Sequence, residues 1–123
     1  MNKTYTFNSV ADIRRAFDRW INLTVAERLE IRQQHRHNFL GKQTPGALQC
    51  YTAKLKIGNK VGAIFFSESG AVRLWYKDTS RPETPHVDVD YRYDRGEIVM
   101  TQLSNGQLKR RVYEPDWTLI REF

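Results

Sequence analysis

Thiol chemistry in this chain rests on one residue. Cys50 is the sole cysteine among 123 residues, so neither an intramolecular disulfide nor a cysteine-based metal framework can form. That usage suits a reducing compartment and sets the expectation of a cytosolic protein. No run approaches the ~20 apolar residues of a membrane span, and residues 1–7 hold no apolar stretch of signal-peptide length. The seven glycines stand singly, so the chain has no phosphate-cradling glycine loop. Internal repeats and low-complexity segments are missing too. What remains is ordinary for a folded domain: 40% hydrophobic, 28% charged and a rather rich 12% aromatic residues. Such a composition excludes disorder and points to a single domain over residues 1–123.

Charge is distributed unevenly. Residues 1–58 carry ten Lys/Arg against four Asp/Glu, which is the whole of the net +6. Residues 59–123 carry ten of each and are neutral. A positive face on one structural element attracts polyanions, because neutralised phosphates release their counterions.

Periodicity divides the chain at the same region. Ser9 followed by Asp12 opens a first helix as a capping box, and Val10, Ile13, Phe17, Trp20 and Ile21 form its apolar stripe. Arg14, Arg15, Asp18 and Arg19 fall off that stripe and are expected to face solvent. Thr24 with Glu27 opens a second helix, stopped near Gly41 and followed by the Thr44-Pro45-Gly46 break. The helical pair thus covers residues 9–40, and a β region covers 47–123. Its period of 2 is clearest in Tyr51, Ala53, Leu55 and Ile57, and in Val87, Val89, Tyr91 and Tyr93. Turn signals at Gly58-Asn59, Arg95-Gly96 and Asn105-Gly106 join the strands as hairpins. The expected class is α+β: a two-helix hairpin packed on a curved antiparallel sheet of six to seven short strands.

Several groups of residues could carry chemistry. Arg28, Arg32 and Arg36 recur at i, i+4 on the second helix, with Gln33, His35 and His37 around them. Such a row can follow a phosphate backbone while Gln and His reach bases or sugars. On an ideal wheel it lies between Ile31 and Phe39 on one side and Leu29 and Leu40 on the other. A charged solubilising face explains the same row without a ligand. Lys54, Lys56 and Lys60 flank the first hairpin and would extend the positive surface. Lys109 and Arg111 read instead as protection of an exposed sheet edge.

His86, Asp88 and Asp90 project from one face of a strand and have the donor chemistry for a divalent cation such as Mg²⁺, with Glu97 a neighbour on the next strand. Strict amphipathic alternation accounts for these acids equally well. Cys50 reads as a small buried hydrophobe. An exposed tyrosine or tryptophan beside basic residues would give a stacking platform for single strands.

The sequence therefore favours a small basic binding protein without enzymatic activity or cofactor. It would engage nucleic acid or a nucleoprotein complex, as a regulator or inhibitor. The alternatives are a binder of an acidic protein surface, or a metal-dependent nuclease built on His86, Asp88 and Asp90.

Overall fold

A computed structural model of the chain describes residues 6–35 and 48–123. The elements run β1 (Thr6–Phe7), α1 (Val10–Ile21), α2 (Val25–His35), β2 (Gln49–Ile57), β3 (Lys60–Ser67) and β4 (Val72–Asp78). They continue through β5 (Val87–Asp94), β6 (Glu97–Ser104), β7 (Gln107–Tyr113) and β8 (Leu119–Glu122). Both helices start where the caps predict. The Ser9 side chain accepts from the Asp12 backbone N–H at 3.1 Å, and Thr24 and Glu27 satisfy each other's backbone N–H at 2.9 and 3.1 Å.

All eight strands lie in one sheet in chain order, and every neighbour from β2 to β8 is antiparallel. The class is α+β, with one more strand than the upper expectation. The extra strand is β1, which pairs parallel with β2 through Thr6–Lys54 and Phe7–Leu55. A hairpin cannot make that pairing; here the helical pair itself is the crossover between the two strands. Tight turns hold the other registers. Asn105 and Gly106 have φ of +51° and +76°, the geometry of a two-residue turn whose twist matches its strands.

α1 lies on one face of the sheet, called the inner face below. Its stripe of Ile13, Ala16, Phe17 and Trp20 is buried against Leu55, Ile64, Phe66, Leu74, Val89 and Met100. Each large apolar side chain removed from water contributes ~2 kcal/mol, which explains why the stripe and not α2 anchors the helices. The Trp20 indole N–H also reaches the Ser67 carbonyl at 2.8 Å. A register shift between Gln49 and Tyr51 turns Cys50 into the same core, where it is fully buried.

Candidate nucleic-acid interface

Arg28 and Arg32 of the arginine row on α2 face the protein. Arg28 is only 7% exposed, and its guanidinium donates to the carbonyls of Glu68 (2.7 Å), Leu23 (2.8 Å) and Trp20 (3.2 Å). Two of these acceptors belong to the end of α1 and the connection after it, where carbonyls lack helical partners. Arg28 is thus a backbone clamp and not a phosphate contact. One turn on, half-buried Arg32 donates to the Gln49 carbonyl at 2.8 Å. His35 sets its ring edge-on to Tyr51 at 5.2 Å, and Gln33 is exposed. Arg36 and His37 lie outside the described residues. Beside Leu29 and Ile31, Arg28 and Arg32 lie on the side of the helix that faces the protein.

The lysines of the first hairpin separate by strand parity. Lys54 pairs with Ala63 and Lys56 with Val61 on the outer face, whereas Lys60 pairs with Ile57 and Asp78 and faces inward. They cannot form one patch. The expectation of an edge at β7 fails for Arg111, because β8 pairs there through Arg111–Glu122 and Val112–Arg121, whereas the register of β8 does not reach Lys109.

On the inner face, next to the first turns of α1, the sheet keeps a hollow of about 240 Å³. Its cations are Arg14, Lys60 and Arg111, its hydroxyls come from Tyr76, Tyr91 and Tyr113, and no carboxylate lines it. Leu55, Leu74, Val89 and Met100 form the floor. Lys60 and Tyr76 also line an adjoining hollow of about 290 Å³ that adds Arg81, Ser104 and Asn105, together with Asp78. The result is a basic, aromatic groove with few acids.

Each side chain in it has a local cause. Arg14 was expected in water, yet it stands over the rings of Trp117 (5.0 Å) and Tyr113 (5.4 Å), with its Nε buried and unpartnered among the described residues. Asp18, also expected in solvent, accepts from the Trp117 indole N–H at 3.1 Å. Both residues flank the apolar stripe; on an ideal wheel Arg14 is only about 20° from Ile21. Lys60 sits 5.1 Å from the centre of the Tyr76 ring. Arg111 is 3.2 Å from Glu122, and hydrogen bonds to Tyr113 and Glu122 push its pKa above the usual arginine value. Burial, with the neighbouring Tyr113 adding to it, pushes the Tyr91 phenol up to about 12. At neutral pH it is protonated, as any tyrosine is, and its hydroxyl is a hydrogen-bond donor.

His86, Asp88 and Asp90 share the outer face but are drawn into other contacts. Asp90 lies 2.6 Å from Arg92 and 3.4 Å from Arg73, while Asp88 is 3.2 Å from the His86 Nε2. Glu97 pairs with Asp94 at the far end of β5, and its carboxylate holds Arg121 at 3.0 Å. Among the described residues no three His, Cys, Asp or Glu side chains are gathered to hold a metal ion. Cys50 is buried, its thiol 3.6 Å from the Leu48 carbonyl, and burial raises its pKa above the ordinary thiol value.

Comparison of the chain with protein families, with curated proteins and with solved structures found no match. Function must be argued from the groove itself. Lys60 is the one groove residue that its sequence pattern marked as a binding cation. Arg14, Arg111 and the tyrosines were legible as helix-flank or strand residues, but nothing local announced their convergence.

Proposed function

We propose that this protein binds single-stranded nucleic acid, without catalysis, in the inner-face groove. It would act as a regulator or inhibitor of a nucleoprotein complex that presents such a strand. The observation that carries this reading is the lining of one hollow by Arg14, Lys60 and Arg111 beside three tyrosines, with no carboxylate among them. Phosphates would be met by the three cations, and Arg81 would extend the track. Tyr76 offers a half-buried ring on which a base can stack, a contact that tolerates any sequence. A hollow of about 240 Å³ suits one nucleotide-sized group at a time and is too narrow for a duplex.

The test is anisotropy of labelled single- and double-stranded DNA and RNA oligonucleotides across a salt series. Each phosphate neutralised on a single strand adds ~0.7 to the steepness of log K against log salt. Replacing both Lys60 and Arg111 with Ala should therefore weaken binding and flatten the slope by ~1.4. Equal affinity and slope in wild type and the double variant would remove the groove as the binding surface. Preference for duplex over single strand would contradict the proposal directly.

A further inference from the structure

The outer face of the sheet is not built like a face that only meets water. Antiparallel sheets with one solvated side alternate apolar-in and polar-out. Here the register aligns a cross-strand row of Lys54, Ala63, Trp75, Asp88, Leu103 and Leu108 on the outside. The adjacent row aligns Phe65, Arg73, Asp90, Thr101 and Arg110. Between them lies an open hollow of about 520 Å³, with Phe65, Trp75, Leu103 and Leu108 as its apolar walls. Trp75 is 37% exposed, Leu103 44% and Leu108 61%. Exposed apolar side chains on a sheet face, interrupted by Asp88 between Trp75 and Leu103 and bordered by charge, have the anatomy of a protein interface.

The border has a sign. Lys54, Lys56, Lys77 and Arg110 are exposed on this face, and none forms an ion pair among the described residues. Of the acids in the hollow, Asp90 is ion-paired with Arg73 and Arg92, although its Oδ1 has no hydrogen bond among the described residues, and half-exposed Asp88 lies 3.2 Å from the His86 Nε2. A second copy of this chain would bring like charges together, which disfavours self-association through this face. Leucines at the centre also serve a bound nucleic acid poorly, since bases stack on rings and not on aliphatic chains.

We infer that this outer face docks an acidic partner protein, which seats one large apolar side chain between Trp75, Leu103 and Leu108 while its carboxylates meet Lys54, Lys56, Lys77 and Arg110. The surface is separate from the inner groove, so a partner and a strand can be held at once, and either reading can fail alone.

The probe is a synthetic peptide of about twelve residues with a central Trp-Leu pair flanked by Asp and Glu, titrated into ¹⁵N-labelled full-length protein. A matching peptide with Lys in place of the acids and an oligo-dT strand are the controls. The expected result is amide shifts centred on Ala63, Trp75, Asp88, Leu103 and Leu108 with the acidic peptide alone. Leu108→Asp should weaken that binding about tenfold, because it removes an apolar wall and sets a carboxylate against the peptide's own acids. Leu108 is well exposed, so the variant should fold, and its oligonucleotide affinity should match wild type. No shifts at about millimolar acidic peptide, shifts centred on the inner groove, equal response to the Lys peptide, or outer-face shifts with oligo-dT would each overturn the inference.

Discussion

Arg28 shows how a cation in a basic half can be structural. Its guanidinium holds four carbonyls from two parts of the chain: Trp20, Ile21 and Leu23 near the helix junction, and Glu68 forty residues beyond Arg28. Arg28→Ala would remove the donor that the part-buried Leu23 and Glu68 carbonyls share, a loss of ~3 kcal/mol measurable as a lower urea midpoint. Arg28→Lys should recover little of it, since an ammonium lacks the planar fork that reaches several acceptors.

Tyr91 gives a pH prediction of definite sign. Burial favours its neutral phenol in the folded state, so its pKa is about 12 against 10 for an ordinary tyrosine. Its contribution is complete below pH 10 and is lost between pH 10 and 12, amounting to about 2–3 kcal/mol. Absorbance titration at alkaline pH should show a tyrosine step near pH 12 that Tyr91→Phe abolishes. The Cys50 thiol, buried and with a raised pKa, should resist thiol reagents until the protein unfolds.

At the scale of elements, β3 and β4 approach unusually closely at Gly62. A Cβ built there would fall 1.8 Å from the Trp75 carbonyl oxygen, and backbone cannot swing aside as a side chain can. Gly62→Ala is therefore expected to cost ~3 kcal/mol or more, and to disturb the groove wall at Tyr76, its neighbour in register. Amide exchange along β3 and β4 would report it. α1 depends on its stripe in the same way: Phe17→Ala should destabilise the fold by ~3–5 kcal/mol, because the ring is completely buried in the core. α2 is held differently. Arg28 and Arg32 hydrogen-bond it to neighbouring backbone, Ile31 packs on the core, and the reciprocal Thr24–Glu27 cap closes its first turn. Acid should loosen it first, since bonds from Thr24 hold the Glu27 carboxyl below its usual pKa and protonation removes them.

At the scale of the whole molecule, Trp117 joins the parts. Its residue adopts φ of +70°, a left-handed conformation that a bulky side chain takes only when its surroundings demand it. The demand is visible: the ring meets Phe17 at 5.8 Å, Tyr91 at 5.7 Å and Tyr113 at 5.4 Å, while its N–H is bonded to Asp18. It ties α1 to β5 and β7 and forms part of the platform under Arg14. Trp117→Ala should lower stability by ~3–5 kcal/mol, and also weaken oligonucleotide binding as Arg14 loses its seat. Near- and far-ultraviolet dichroism should report one coincident unfolding transition, as expected for helices and sheet sharing a core.

Local physics was sufficient for much of this protein. Capping boxes fixed where both helices begin, hydrophobic period fixed helix against strand, and turn chemistry at Asn105-Gly106 and Arg95-Gly96 fixed the hairpins. These depend on residues a few positions apart, which is why the α+β order was legible in the chain. Whether a cation faces solvent, core or groove depends on partners far away in sequence. Lys56 and Lys60 are four residues apart and lie on opposite faces of one hairpin, because the turn between them sets strand parity. Arg28 is buried because Glu68 arrives beneath it, and Arg14 enters the groove because Trp117 closes over α1. The amino-acid order alone determined where the helices begin, strands β2 to β8 and the excess of positive charge; the packing of distant segments added β1 and decided where that charge can act.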